Sequence, residues 1–292
     1  FSKNLQGGQR WLKIGPLQFQ PSELAKFIIV ICMAKYMTDH HEDMPSFVRG
    51  FLPMAALLVV PAVLIYFQPN VSMLIILCIV FAIMLFIGGA SLSQLGIAAL
   101  IGGAALVVLL FAASYRESRI TAWLDPWGNK SDAGYQIVQS LYAFGNGGWF
   151  GQGLDASRQK LLFLPYRESD FILSIIAEEL GFVTVALLIA AYCFIIYRGI
   201  RIALSVRDRF ASLVAAGFSS ILAVQVAVNV AVVTNSIPAT GQTLPFISSG
   251  GTSLVIFLAG IGVLLNISRY TEPRKSRGGS YGKHKNQKQR QQ

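Results

Sequence analysis

Read only for apolar and polar positions, the chain is a series of long apolar runs separated by short polar breaks. The runs cover about 24–38, 50–68, 71–88, 93–114, 171–197, 210–234 and 252–268. Most approach or exceed the roughly 17 residues that a helix needs to cross a bilayer. No charged residue lies between Arg49 and Arg116, and none between Arg209 and Arg269. Pro61 and Gly102-Gly103 interrupt their runs, which membrane helices tolerate. The alternating ten-residue segments of a transmembrane barrel are missing from the sequence. The pattern predicts an all-α polytopic membrane bundle of about seven spans over residues 1–268, with a polar tail at 269–292.

Composition agrees with that class and adds an orientation. Of 292 residues, 54% are hydrophobic and 13% charged, against about 25% charged in a soluble domain. The net charge of +10 is concentrated: residues 269–292 hold eight Lys/Arg and one acid, Glu272. That tail lacks apolar residues and is expected to be disordered, lying beside anionic lipid in the cytoplasm. Arg198, Arg201, Arg207 and Arg209 crowd the break between the fifth and sixth runs. Basic loops stay inside, so this break, the tail and residues 39–49 are assigned to the cytoplasm. Residues 1–21, 115–170 and 235–251 then face outward. Cys32, Cys78 and Cys193 fall within apolar runs and read as packing residues without a disulfide framework. His40 and His41 read as solvated loop. The first residue is Phe1 in a polar segment, which suggests a piece of a longer protein.

The outward loop 115–170 is the longest break, and long loops in compact proteins usually carry function. It holds Arg116, Arg119, Lys130, Arg158, Lys160 and Arg167 among acids, which would make a cationic mouth suited to a phosphorylated substrate. Residues 135–144 carry apolar positions at helical spacing, predicting a short amphipathic helix on the membrane interface. The glycines that follow (Gly145, Gly147, Gly148, Gly151, Gly153) would either cradle phosphate with backbone N–H groups or simply allow a tight turn. In the first polar segment, Gln20-Pro-Ser-Glu23 reads as a helix start with Ser22 as a cap, and Glu23 and Lys26 are spaced to pair.

The loop ends at Asp170, where the fifth run begins. An acid there reads either as a helix cap or as a reactive carboxylate at the membrane surface. Glu178 and Glu179 lie inside the same run, where a carboxylate needs a partner. Asp170, Ser174 and Glu178 share one helix face, with Glu178 about 12 Å deeper at 1.5 Å per residue. Both glutamates are expected to pair with polar residues of neighbouring helices, such as Asn229 or Gln225, and to shape a cavity.

An ordered set of motifs resembles the SEDS family of bacterial envelope proteins, the FtsW/RodA/SpoVE group. It includes Arg10-Trp-Leu-Lys-Ile-Gly-Pro16, Gln20-Pro-Ser-Glu-Leu-Ala-Lys26 and Gln68-Pro-Asn-Val-Ser72. It continues with Gly134-Tyr-Gln-Ile-Val-Gln-Ser-Leu141, Leu164-Pro165 through Asp170-Phe-Ile, and Ala177-Glu-Glu-Leu-Gly181. It closes on Pro238-Ala-Thr-Gly241 and Leu244-Pro-Phe-Ile-Ser-Ser-Gly-Gly-Thr-Ser253. The stretch from Thr240 to Ser253 looks closer to division and sporulation members than to rod-type ones.

The resemblance implies ten spans, of which these seven would be the fourth to tenth. It also implies peptidoglycan glycosyltransfer: polymerisation of lipid II, the undecaprenyl-pyrophosphate-linked precursor, at the outer face. The implied partners are a class B penicillin-binding protein and other division proteins, and nucleic acid is not among them. Asp170 falls on the family's catalytic Asp and is the expected general base. Arg119, Lys160 and Arg116 are candidates for the pyrophosphate, with solvated loop charges as the alternative. Trp11 would contact sugar or lipid, or anchor the bilayer. Gln136, Gln139 and Ser140 would bind sugar hydroxyls, and Glu178, Glu179, Glu23 and Lys26 are expected as structural polar residues. No cofactor is required, and a divalent cation (Mg or Mn) is left open as a helper.

Two positions depart from the family pattern: Asn70 stands in place of an Asp, and Glu168 precedes Ser169-Asp170 where a His-Thr pair is usual. Two other functions compete with glycosyltransfer. A lipid flippase would need polar residues across the whole bilayer, whereas 50–114 and 252–268 carry almost none. A non-catalytic scaffold of the division machinery would account for the basic tail.

Overall fold

The computed structural model describes residues 12–14, 17–68, 70–111, 114–131, 134–157, 159 and 169–271. Expectations resting on Trp11, Lys160, Glu168 and residues 272–292 lie outside them, as does the Arg116 side chain.

The apolar runs become seven long helices. They are α1 (Pro21–Asp39), α2 (Leu52–Phe67), α3 (Val71–Gly88), α4 (Leu92–Phe111), α7 (Ile172–Ser205), α8 (Arg209–Val233) and α9 (Gly251–Ser268). Five are long and apolar enough to cross a membrane: α2 together with a π-helical turn at Phe47–Phe51, then α3, α7, α8 and α9. Helix α4 is 20 residues long and apolar over its described stretch from Leu92 to Ala105, and α1 carries Glu23, Lys26 and Lys35 within its length. Helix α8 is the hub, packing against α1, α3, α7, α9 and a shorter helix at Tyr135–Gly147. Its buried side chains are mostly small or β-branched, such as Ala215, Ala216, Gly217, Ile221 and Val226, so neighbouring backbones approach closely without polar loss.

Local chemistry explains most helix boundaries. Pro21 opens α1, where a missing N–H is not needed. Asn70 caps α3 by accepting from Met73 N at 3.3 Å, and Asp208 caps α8 by accepting from Ala211 N at 2.7 Å. The departure at Asn70 therefore preserves a cap that an Asp would also make. Ser22 is not a cap: it is buried, and its hydroxyl accepts from Gln20 Nε2 at 3.1 Å.

The structure adds elements that the apolar pattern did not report. Leu12–Ile14 and Leu17–Phe19 form a two-stranded antiparallel hairpin, β1–β2. Ser114–Leu124 forms a helix, α5. The expected amphipathic helix is α6 (Tyr135–Gly147), but it does not lie free on a membrane surface. Its apolar face, Ile137, Val138 and Ala143, is buried, and it packs on α7 and α8. The fifth run is also longer than its apolar part, because Arg198 and Arg201 continue the helix as exposed residues to Ser205.

Helix α7 is broken at Gly181, with φ 78° and ψ 177°. The break is filled by the turn after α6. Gln152 N and Gly153 N donate to the carbonyls of Glu178 and Glu179 at 2.9 and 3.0 Å. Phe182 N and Val183 N donate to the carbonyls of Gly148 and Trp149 at 2.9 and 3.1 Å. These four bonds give new partners to the N–H and C=O groups at the break, as irregular backbone beside a membrane span requires. The glycines after α6 serve this joint: a Cβ on Gly151 would lie 2.1 Å from Glu179 O. The N–H groups of residues 151–153 are engaged within the chain, which favours the tight-turn alternative over a phosphate cradle at these residues.

Candidate active site

One end of the bundle collects the polar side chains. It is the end where α7 begins, α8 finishes and the chain runs irregularly from Thr234 to Gly250 before entering α9. An irregular segment has backbone carbonyls without regular partners, and helix side chains supply them here. Trp123 Nε1 of α5 donates to Asn235 O at 3.0 Å, and Arg119 Nη1 donates to Ala239 O at 2.7 Å. Ser72 Oγ at the start of α3 donates to Thr240 O. From α8, Asn229 Nδ2 donates to Gln242 O at 2.8 Å and Gln225 Nε2 to Thr243 O at 3.1 Å. Tyr192 of α7 donates its hydroxyl to Pro245 O.

Asp170 stands against this segment. It lies in a turn just before Phe171, which occupies the cap position of α7 without a side-chain cap bond. The cap reading of Asp170 therefore does not describe this helix start. Its backbone is tied twice to the 234–250 segment and α8: Ser248 Oγ donates to Ser169 O, and Asn229 Nδ2 donates to Asp170 O at 2.9 Å. The half-buried carboxylate faces Gly241, whose φ is +63°. A Cβ built there would be 3.2 Å from Asp170 Oδ2. Arg119 thus reaches the segment two residues from the glycine that Asp170 faces. An acid and a cation converge on one stretch of backbone, exposed at Gly241.

Below this surface lies a buried ionic pair. Lys26 Nζ is 3.0 Å from Glu23 Oε2, donates to Gln225 Oε1 and sits 5.4 Å from the centre of the Phe257 ring. Lys26 is 1% exposed, and such a cation is stable only when paired and hydrogen-bonded. The expected Glu23–Lys26 pair is present, and Gln225 links it to Thr243.

Glu178 has different partners from those expected. It is 1% exposed and accepts from Ser157 Oγ, from Gln159 N at 3.2 Å and from Asn146 Nδ2 at 3.4 Å. Asn229 and Gln225 are engaged elsewhere. Glu178 fastens the segment after α6 onto α7, because the face that it shares with Ser174 is covered by α6 and that segment. Glu179 is half-buried on the next position, where its backbone carbonyl takes Gly153 N. Ser140 is fully buried, and its hydroxyl bridges Ser174 Oγ and Val233 O at 2.7 Å each. The structure places it in helix packing, apart from Asp170's exposed face. Gln136 and Gln139 are half-buried on α6.

Residues 1–273 match the family of cell cycle proteins described as FtsW/RodA/SpoVE. This chain belongs to that family. Stage V sporulation protein E of Bacillus subtilis is 42% identical over 265 residues, 91% of this chain and 72% of that protein. The probable peptidoglycan glycosyltransferase FtsW of Geobacter sulfurreducens is 39% identical over 263 residues, 90% of this chain and 70% of that protein. Among solved structures, a chain of a peptidoglycan synthase complex superposes with a TM-score of 0.74 at 29% identity, covering 92% of this chain and 75% of that one. The rod shape determining protein RodA of Thermus thermophilus gives 0.64 at 27% identity, covering 93% and 73%. These sporulation and FtsW relatives agree with the resemblance drawn from Thr240 to Ser253.

Within this FtsW/RodA/SpoVE chain, the residues that sequence reasoning did not single out include Ser72, Trp123, Tyr192, Ser248 and, as partners of the 234–250 segment, Gln225 and Asn229. The signal for the last two was present: polar residues four apart on an otherwise apolar helix face one way, and a buried polar pair needs partners.

Proposed function

We propose that this chain is the membrane core of a peptidoglycan glycosyltransferase that polymerises lipid II into β-1,4 glycan strands during division or sporulation. Its seven long helices would be the fourth to tenth spans of a ten-span protein. The end bearing Asp170 would face outward and the C-terminus the cytoplasm, with a class B penicillin-binding protein as its partner. The reading is carried by one observation: Asp170 is clamped by its backbone beside an exposed glycine, on the segment that Arg119 also reaches, in a chain of this family.

The chemistry asks for little more. An acceptor 4-hydroxyl attacks the anomeric carbon of the donor sugar. The bond from that carbon to pyrophosphate oxygen breaks, and its electron pair leaves with the pyrophosphate, which needs no proton. The hydroxyl proton passes to the Asp170 carboxylate. Inversion in one displacement converts an α-linked donor into a β-linked product. Arg119 would offset pyrophosphate charge, and Lys160 and Arg116 remain proposed for the same role, as do Trp11, Gln136 and Gln139 for sugar or lipid. Among the described residues no group of three His, Cys, Asp or Glu side chains could hold a metal ion. A divalent cation is an optional helper, and no step above runs through it.

The flippase alternative is disfavoured by where the buried polar groups lie. Among the described residues, apart from Gln94 and Ser219, the buried polar side chains gather at the Asp170 end and around the segment after α6. The test uses the full-length protein with its transpeptidase partner in liposomes containing labelled lipid II. Asp170→Asn should lower glycan product about 10²-fold or more while leaving the folded complex intact. Lipid movement without polymerisation by the wild type would support the flippase instead.

A further inference from the structure

We infer that Asn229 is a positioning residue for the reaction: its side-chain amide holds Asp170 in register with Gly241 and Gln242. The inference rests on the reading of Asp170 as the base.

Asn229 is 0% exposed, in the last two turns of α8. Its amide offers two N–H donors, and both go to backbone carbonyls of separate segments: Asp170 O at 2.9 Å and Gln242 O at 2.8 Å. Asp170 O needs such a donor. The N–H that a continuing helix would bring to it, Ser174 N, donates to Phe171 O at 3.0 Å. Gln242, 5% exposed, lies beside Gly241, which the Asp170 carboxylate faces. One side chain therefore spans the base and the wall opposite it.

The residue type matters. Among uncharged side chains only Asn and Gln carry two donors on one nitrogen, and Gln would need room for another methylene in a fully buried site. An ionised Asp of the same shape would donate to neither carbonyl. Gln225, one turn earlier, holds Thr243 O and is held by Lys26, so α8 supports two successive peptide groups of the wall.

Removing the amide frees the Asp170 peptide, and displacement of a catalytic group by about 1 Å can lower rate about 10²-fold. The test measures kcat and KM for lipid II in the full-length protein with its transpeptidase partner, normalised to folded protein from size-exclusion chromatography. Asn229→Ala should lower kcat by about 10²-fold with KM within about threefold of wild type. Asn229→Ser, which keeps one donor, should fall between, and it carries the test if the alanine variant does not fold. In an Asp170→Asn background, Asn229→Ala should cause no further loss. The inference is overturned if kcat per folded molecule stays within about threefold of wild type, or if the loss is equally large without the Asp170 carboxylate. Full glycan synthesis by Asp170→Asn alone would instead remove the base reading beneath it.

Discussion

Replacing Gly181 with alanine probes the joint between α7 and the turn after α6. At φ 78° and ψ 177°, Gly181 occupies backbone space open essentially to glycine, and an alanine there costs about 1–3 kcal/mol. The new Cβ would also lie 2.4 Å from Gly151 N and 2.5 Å from Phe150 C. Neither is a flexible side chain that can swing away. Relief requires separating backbones joined by the bonds from Gln152, Gly153, Phe182 and Val183. Each contributes about 0.5–1.5 kcal/mol net, and loss of two adds about 1–3 kcal/mol. Gly181→Ala should therefore destabilise the protein by about 2–6 kcal/mol. Gly102→Ala is the control: it lies in α4 with nothing within 4 Å of its added Cβ, and its effect should be neutral or stabilising by up to about 1 kcal/mol. The assay is thermal unfolding of the purified full-length protein in detergent. Equal unfolding temperatures for Gly181→Ala and wild type would refute the account of the joint.

Other perturbations separate the parts of the site. Gly241→Ala forces a side chain into a positive-φ position beside the Asp170 carboxylate and should cut polymerisation about tenfold or more, whereas Gly250→Ala, whose added Cβ makes ordinary contacts, should leave it near wild type. Glu178→Gln turns an N–H toward donors that now face a carboxylate. Hydrogen–deuterium exchange should rise over residues 152–159, with stability lower by about 1–3 kcal/mol. Lys26→Met leaves Glu23 buried without its cation and should destabilise by about 3–5 kcal/mol in thermal unfolding, while the double change Glu23→Leu with Lys26→Met should recover a large part.

The spans were legible because each is a local pattern. Val71–Gly88 and the start and end of α8 fall within a residue of the apolar runs, since caps such as Asn70 and Asp208 sit beside the residues that they serve. What escaped local reading depends on distant partners. The run at 171–197 gives no hint of a break, because the backbone that replaces the lost helical bonds arrives from residues 148–153. Only the density of glycines in that turn, with Gly181, left a trace. Glu178 was recognisable as a carboxylate needing partners, but the choice between α8 and Ser157 was set by how α6 folds back on α7. Helix α5 is short and polar enough to read as loop, although Arg119 and Trp123 lie one turn apart and both bind the 234–250 segment. Asp170 stood out in the sequence, while its clamp by Asn229 and Ser248 depends on chain closure over 59 and 79 residues.

The most direct measurement is the rate of glycan formation by Asp170→Asn. The full-length variant would be paired with its transpeptidase partner in liposomes, with labelled lipid II and folded protein matched to wild type. Loss of a positioned general base predicts a fall in rate of about 10²-fold or more with lipid II still bound. A rate within about threefold of wild type would contradict the claim that Asp170 takes the acceptor's proton.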